Sequence, residues 1–249
     1  AHRGGHDHVE LPADAATDDV LVALREQAMD IHEQVVHEHG IFAVEFLGAT
    51  GSGKTRLIEQ LVDRAPSEES IGAIVGDVAG EDDANRLRAL GVEVVNVNTG
   101  AECHLDAALV QDAIDELDLA SLDTLYLENV GNMVCPADFP LGSQARVLVV
   151  STTEGDDVVR KHPGLFQVAD AAVINKIDLA PAVGADVDRM AADVETVDPS
   201  VPVFRTAAET GAGVPELAAH LRSQAAEGHT AADHRHPMAS GSLPVDGPD

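Results

Sequence analysis

Basic residues are scarce in this chain of 249 residues, and their shortage excludes two classes of partner. Lysine and arginine together number 15 against 44 aspartates and glutamates, so the formal net charge is −29. Without a basic stripe, electrostatic binding of nucleic acid is disfavoured, because no cations are available to displace the counterions of phosphate groups. An anionic membrane surface would repel the chain equally. Neither nucleic acid nor membrane is therefore an expected partner.

Cysteines and long apolar runs are scarce as well. The two cysteines, Cys103 and Cys135, are too few for a disulfide framework. The first residues are rich in His and Asp and lack the pattern of a signal peptide, and no apolar run approaches the ~18 residues needed to span a membrane. These absences predict a cytoplasmic protein.

Lysine is rarer still, since only Lys54, Lys161 and Lys176 occur. An acid-rich, lysine-poor surface is typical of a protein kept soluble in concentrated salt, where self-repulsion is screened. We therefore expect a halophilic host. An acidic protein of a mesophile is the alternative.

What is present indicates one α/β domain. Hydrophobic residues make up 45% of the chain and the mean hydropathy is −0.01, which suffices for a core and argues against disorder. Strand-like apolar runs alternate with helical patterns, which predicts a mainly parallel sheet flanked by helices, preceded by a leading helix over 18–38. Strands are expected at 41–48 and near 71–75, 93–97, 124–128, 146–151, 171–175 and 201–204. Helices are expected at 54–65 and near 82–90, 105–118, 156–161, 185–195 and 214–225. Residues 1–17 and 226–249 are expected to be flexible tails, the first containing histidines, on either side of a P-loop GTPase domain at 18–225.

A phosphate-binding loop carries the clearest chemistry. GATGSGKT (48–55) follows a predicted strand and opens a predicted helix, which is the context of a P-loop. Its glycines let backbone N–H groups converge on phosphate oxygens at a helix N-terminus. Lys54 is expected to reach the β- and γ-phosphates, and the Thr55 hydroxyl to bind Mg²⁺. The nucleotide-binding residues predicted here are Gly48, Gly51, Ser52, Gly53, Lys54, Thr55 and Arg56.

A second motif indicates that the base is guanine. VINKID (173–178) places Asn175, Lys176 and Asp178 at the end of an apolar strand. A carboxylate there accepts two hydrogen bonds from the N1–H and the amine of guanine, which adenine does not offer. N-K-x-D at this place resembles the guanine-reading motif of GTPases. The backbone of Ala207 and Ala208, in TAAETG (206–211), is then expected to contact guanine O6, although Glu209 stands where GTPases commonly have Lys.

Two carboxylates at strand ends are candidates for Mg²⁺ and for sensing the γ-phosphate. Asp77 follows one predicted strand and Glu128 another, and ligands of an open parallel sheet collect at the carboxyl ends of its strands. Both are predicted, with Lys54 and Thr55, to serve catalysis. Gly131, in ENVGN, is a candidate hinge near the γ-phosphate. No residue stands out as the group that positions water, so turnover is expected to be slow, as in Ras-like GTPases without activators, at roughly 10⁻⁴ s⁻¹.

Thiol and imidazole groups follow two neighbouring strands and predict a second site. Cys103, His104 and Cys135 emerge at the nucleotide edge, and this donor set suits Zn²⁺ and Ni²⁺. Joint ligation by Cys103 and His104 requires a turn or a helix start, and Asn98-Thr99-Gly100 would supply a turn. Three ligands leave one position of a tetrahedral site open, for water or for a second copy of the chain. Two ordinary buried cysteines are the alternative.

The motifs together resemble a known family. GATGSGKT, NTGAECHLDA, LENVGNMVCPADFPLG, STTEGDD and VINKIDL are similar to those of the hydrogenase nickel-incorporation GTPases, the HypB metallochaperones, over roughly residues 18–225. The resemblance implies a GTP-dependent homodimer that passes nickel to the hydrogenase large-subunit precursor together with a small nickel-binding partner. It also implies that Cys103, His104 and Cys135 bind Zn²⁺ or Ni²⁺ at the dimer interface.

Three other functions compete with this interpretation. A urease-accessory GTPase shares the fold and the base motif, but is expected to carry Cys-Pro-His where Ala137 follows Cys135 and Pro136. A P-loop kinase would need a lid of arginines and would leave the guanine motif idle. A passive nickel store would leave Lys54, Thr55 and Asp178 without a use.

Overall fold

A seven-stranded parallel sheet organises the molecule. A computed structural model describes residues 17–78, 80–100, 104–132 and 139–228 of the chain. In that part the strands have the order β3-β2-β4-β1-β5-β6-β7, and each neighbouring pair is parallel. Their bounds are β1 (Phe42–Leu47), β2 (Ile71–Asp77), β3 (Glu93–Asn98), β4 (Thr124–Glu128), β5 (Ala145–Ser151), β6 (Ala171–Asn175) and β7 (Val203–Arg205). The predicted α/β class and all seven predicted strands are confirmed.

Helices cover both faces of the sheet. Their bounds are α1 (Thr17–His32), α2 (Lys54–Val62), α3 (Asp82–Arg88), α4 (Ala107–Ile114), α5 (Val158–Lys161), α6 (Pro163–Gln167), α7 (Ala180–Val183), α8 (Val187–Val197) and α9 (Val214–Gly228). The sequence pattern did not predict α6 and α7, two short helices that each have proline in their first turn, where its missing N–H costs nothing. The last helix continues past the predicted end at 225 to Gly228, because Ala225 and Ala226 favour helix.

The buried side chains divide between the two faces of the sheet. Strand β1 is buried at every position, as expected of a central parallel strand covered on both sides. Val44 and Phe46 pack in a cluster with residues of α2, α3 and α9, whereas Ala43 packs on the opposite face with residues of α1 and α4. Further along that second face, another cluster holds residues of α5, α6 and α8. Neighbouring residues of one strand therefore serve different layers.

The leading helix is part of the core. Ala28, Ile31 and Val35 are buried at the helical spacing that predicted α1, and the helix continues into a π-helical turn at Glu33–Glu38. Gly142 makes this packing possible, since a Cβ there would lie 2.6 Å from the carbonyl oxygen of Ala28. Among the described helices, none is long and apolar enough to cross a membrane.

Candidate nucleotide and metal sites

The P-loop follows β1 and wraps around its own lysine. Gly48 is required in the loop because a Cβ there would lie 2.2 Å from the carbonyl oxygen of Val149. The ammonium of Lys54 donates to the carbonyl oxygens of Gly48, at 3.0 Å, and Ala49, at 3.4 Å. Burial lowers the pKa of Lys54, although the charge of Glu128 acts in the opposite direction. The amine is thus held at the loop that is predicted to bind phosphate.

Glu128 and Thr55 meet under the P-loop. Glu128 ends β4, and its Oε1 accepts a hydrogen bond of 2.7 Å from the Thr55 hydroxyl. Its Oε2 is buried and has no hydrogen-bond partner in the described part of the chain. Burial raises the pKa of Glu128 to about 7, against the opposing effects of the Lys54 charge and the Thr55 hydrogen bond. A desolvated carboxylate beside a hydroxyl is a donor set that fits Mg²⁺, whose charge would favour the ionised form.

Asp77 reaches the same edge of the sheet but lies further along it. Val75, two residues before it, is the position of β2 that pairs with Glu128. The Asp77 carboxylate accepts a hydrogen bond of 2.6 Å from the N–H of Val78. Thr55 and Glu128 are therefore hydrogen-bonded directly. Among the described residues, no hydrogen bond connects Asp77 to either of them.

Two further carboxylates, which no sequence motif marked, act electrostatically on this site. Asp83, in the first turn of α3, lies near enough for its charge to raise the pKa of both Lys54 and Glu128. Glu154, after β5, accepts a hydrogen bond of 2.9 Å from the N–H of Ser151, and burial raises its pKa despite that bond and the charges of Lys54 and Lys176. The signals in the sequence were the acids of GEDDAN, which begins three residues after β2 ends, and of STTEGDD, which begins at the last residue of β5.

The predicted guanine motif is tied to the P-loop by its side chains. Asn175 is buried, and its amide donates to the carbonyl oxygen of Ser52 at 2.8 Å. Lys176 adopts a left-handed conformation with φ of 60° and donates to the carbonyl oxygen of Gly51 at 2.6 Å. Asp178 is exposed in the 3-10 turn Ile177–Leu179. The three predicted residues thus lie at the end of β6, beside the loop.

The backbone predicted to contact guanine O6 is already hydrogen-bonded. The N–H of Ala208 donates to Asn175 Oδ1 at 3.0 Å, and that of Ala207 donates to the carbonyl oxygen of Ala212 at 2.9 Å. Arg56, which was predicted to bind the nucleotide, forms ion pairs with Glu59 at 2.8 Å and with Glu209 at 3.4 Å. Glu209, which stands where GTPases commonly have Lys, therefore connects the 206–211 loop to the P-loop helix.

Of the predicted nickel or zinc ligands, only His104 lies in the described residues; Cys103 and Cys135 lie outside them. The turn predicted at Asn98-Thr99-Gly100 is present, since the N–H of Gly100 donates to Asn98 Oδ1 at 2.9 Å and Gly100 has φ of 61°. The imidazole of His104 stacks on the ring of Phe139 with a centroid distance of 4.1 Å. Within the residues that the structure describes, no group of three metal-binding side chains is assembled.

Gly131 joins the segment of Cys135 to the P-loop. Its carbonyl oxygen accepts hydrogen bonds from the backbone N–H of Thr50, at 3.0 Å, and from the Thr50 hydroxyl, at 2.9 Å. A Cβ on Gly131 would lie 2.7 Å from Cα of Thr50, so a larger residue cannot approach in this way. The candidate hinge therefore contacts the loop itself.

Comparison with known proteins identifies the family. Residues 43–205 match the family described as "CobW/HypB/UreG, nucleotide-binding domain". The "Probable hydrogenase maturation factor HypB" of Methanocaldococcus jannaschii is 48% identical over 195 residues, which cover 78% of this chain and 88% of that protein. This chain belongs to the HypB hydrogenase maturation factor family. It spans 61% of the length of the longer HypB from Azotobacter vinelandii.

Solved structures of HypB proteins have the same fold. The HypB crystal structure from Archaeoglobus fulgidus has a TM-score of 0.76 and 43% identity, and the match covers 82% of this chain and 99% of that one. HypB from Helicobacter pylori, solved "in complex with nickel", has a TM-score of 0.78 and 30% identity, covering 85% of this chain and 99% of that one. A HypB-like P-loop domain is thus established for this chain.

The raised pKa of Glu128 gives a testable pH dependence of stability. Because the folded-state pKa of about 7 exceeds the ordinary value of 4.5, ionising Glu128 costs stability as the pH rises through this window. We expect Glu128→Gln to remove that cost. The free energy of unfolding of the variant, minus that of the wild type, should increase by on the order of 3 kcal/mol from pH 4.5 to pH 8.

Urea denaturation without nucleotide or Mg²⁺ measures this difference. Glu195→Gln, an exposed substitution on α8, is the control for losing a carboxylate charge. A difference for Glu128→Gln that stays constant across the pH range would show that Glu128 is not desolvated in the folded protein.

Proposed function

We propose that this chain binds and hydrolyses GTP and carries nickel, with zinc competing for the same ligands, for insertion into [NiFe] hydrogenase. The end of β4 is the observation that carries the proposal. Glu128 bonds to Thr55 of the P-loop, and Gly131, three positions on, bonds to Thr50 of the same loop. Cys135 follows in the same segment. One stretch of chain therefore serves both the nucleotide and the metal.

Each part of the nucleotide site has a proposed role. The amides of 48–55 surround the phosphates, and Lys54 leaves the carbonyl oxygens of the loop to neutralise the β- and γ-phosphates. Asn175 holds the P-loop against β6, and Asp178 reads guanine. Because the N–H of Ala208 donates to Asn175 in the structure, its contact with guanine O6 requires that this hydrogen bond be shared.

Thr55 and Glu128 would hold Mg²⁺, with Asp77 as the more distant carboxylate of the site. When bound, the ion supplies positive charge that stabilises the charge developing on the phosphates. Glu128 contributes a buried oxygen whose desolvation favours pairing with a cation. Asp83 adds negative charge at this edge and so strengthens that preference.

The proposed nickel ligands are Cys103, His104 and Cys135. Three ligands leave the site open to a fourth, and a homodimer that GTP favours would bring the ligands of two copies together at its axis. The family relationship and the nickel complex of the Helicobacter pylori HypB support this assignment. The expected partners are a small nickel-binding maturation protein and the hydrogenase large-subunit precursor.

Coupling between the two sites follows from the covalent chain. A γ-phosphate that orders Glu128 and Gly131 would displace Cys135 with them, and hydrolysis would reverse the displacement. Nickel would then be released or reloaded with each nucleotide cycle.

The urease-accessory alternative has less support. The identity to HypB proteins, and Ala137 in place of the His expected in a Cys-Pro-His motif, favour a HypB-type protein over a urease-accessory GTPase. A kinase function has only a likeness of fold, since the LAO/AO transport system kinase structure is 19% identical.

Base specificity tests the nucleotide assignment. Asp178→Asn replaces a double acceptor with an amide that can donate to the C2 carbonyl of xanthine. We expect GTP affinity to fall by about tenfold to a hundredfold, since hydrogen bonds to a charged group are lost, and XTP affinity to rise. Fluorescent nucleotide titration measures both, with Asp186→Asn, at the exposed N-cap of α8, as the control. Unchanged GTP affinity would show that Asp178 does not read the base.

Nickel binding by single-site variants tests the metal assignment. Cys135→Ala and His104→Ala should each lower Ni²⁺ affinity by about tenfold or more, because each removes a ligand. Equilibrium dialysis in high salt measures the affinity, and His39→Ala, an exposed histidine outside the site, is the matched control. If Cys135→Ala and His104→Ala both bind nickel as the wild type and the control do, the Cys/His assignment is wrong.

A further inference from the structure

A charged group lies in the centre of the sheet, on the face opposite the P-loop helix. Glu45 of β1 is fully buried, and its Oε2 accepts a hydrogen bond of 3.0 Å from Nε of Arg146 on β5. A buried ion pair is weak evidence for stability, since apolar residues of similar volume are often as stable or more stable. We therefore ask which groups the Glu45–Arg146 ion pair holds in place.

Asn129 extends the pair toward His104. Its amide donates to Glu45 Oε1 at 2.9 Å, and its Oδ1 accepts the backbone N–H of Leu105 at 3.0 Å. All three side chains and the Leu105 backbone are buried. The residue directly after His104 is thereby fixed to the sheet by a side chain that follows Glu128 in sequence.

Arg146 extends the pair toward the other metal segment. Its Nη2 donates to the carbonyl oxygen of Phe139 at 3.4 Å, and the Phe139 ring stacks on His104 with an interplanar angle of 21°. The contacts close a ring, which we name the Glu45 circuit: Glu45, Asn129, Leu105, His104, Phe139 and Arg146. The Glu45 circuit holds the His104 imidazole in two ways. Asn129 fixes the backbone directly after His104, and the Phe139 ring stacks on the imidazole.

We propose that the Glu45 circuit positions His104 for nickel, with Asn129 and Phe139 as its positioning residues. The proposal rests on the proposed nickel site and adds residues that do not touch the metal. Partners that orient a ligating histidine set the affinity of a metal site, and their loss typically lowers affinity by 10-fold to 100-fold. Stacking fixes the plane of the His104 ring, and the Asn129 bond fixes the backbone from which that ring projects.

The test compares nickel binding by full-length variants that leave the three ligands intact. Phe139→Leu removes the stacked ring and keeps apolar volume, and Asn129→Ala removes the bond to Leu105. Both should lower Ni²⁺ affinity by about 10-fold to 100-fold and weaken the thiolate-to-nickel absorption band. Phe139→Tyr retains the aromatic ring and should keep the Ni²⁺ affinity and the absorption band at their wild-type values. Phe204→Leu is the matched control, because Phe204 forms the described Phe–His ring contact with His220 on another face of the protein.

Guanine nucleotide affinity and the thermal midpoint of unfolding are measured for every variant. If these show a folding defect in Asn129→Ala, the nickel affinity of Phe139→Leu alone tests the proposal. If wild-type nickel binding depends on Cys135 but Phe139→Leu and Phe139→Tyr both bind as the wild type does, the circuit proposal is overturned and the nickel site stands. If wild-type binding does not depend on Cys135, the proposed nickel site fails and the circuit proposal fails with it.

Discussion

The parallel register between β1 and β4 is the constraint on which the candidate sites depend. Phe46 pairs with Glu128, and the N–H of Asn129 donates to the carbonyl oxygen of Phe46 at 3.1 Å. Because side chains alternate along an extended chain, Glu128 at the end of β4 and Asn129 directly after it serve opposite faces of the sheet. Glu128 contacts Thr55 under the P-loop, and Asn129 contacts Glu45 on the other side. A slip of one residue would exchange the two faces and dismantle both sites.

Burial of charge prepares the nucleotide edge for its ligand. Desolvation lowers the pKa of Lys54 and raises that of Glu128, so both charged forms are disfavoured in the protein without ligand. Phosphate beside Lys54 and Mg²⁺ beside Glu128 would add opposite charge to that which the two groups already supply to each other. Burial of Lys54 and Glu128 thus costs stability, and binding of nucleotide and Mg²⁺ would offset that cost. We therefore expect the stability of this part of the protein to depend strongly on nucleotide.

The sequence predicted the fold and the nucleotide edge well, because both follow from local signals. Alternating strands and helices, the P-loop and N-K-x-D each occupy the place in the sheet that their flanks indicated. Asp83 and Glu154 escaped notice because acids are common in this chain, and only tertiary structure shows which ones face Lys54. The roles of Glu45 and Arg146 were not predicted for a related reason, since their hydrogen-bond partners lie far away in sequence. No local pattern shows that a charged residue in a central strand belongs to such a set of contacts. The halophilic host and the nickel ligands stay predictions.

Thermodynamic linkage between nickel and nucleotide tests the central claim, that one strand end joins the two sites. Nickel affinity would be measured with GDP and with a non-hydrolysable GTP analogue, and the affinities of both nucleotides with and without nickel. By linkage, the ratio of the nickel affinities with the two nucleotides equals the ratio of the factors by which nickel changes the two nucleotide affinities. Coupling requires that this ratio differ from one, typically by about 5-fold to 150-fold. We expect that result at a protein concentration where light scattering shows a fixed dimer fraction. The same nickel affinity with either nucleotide would contradict the account.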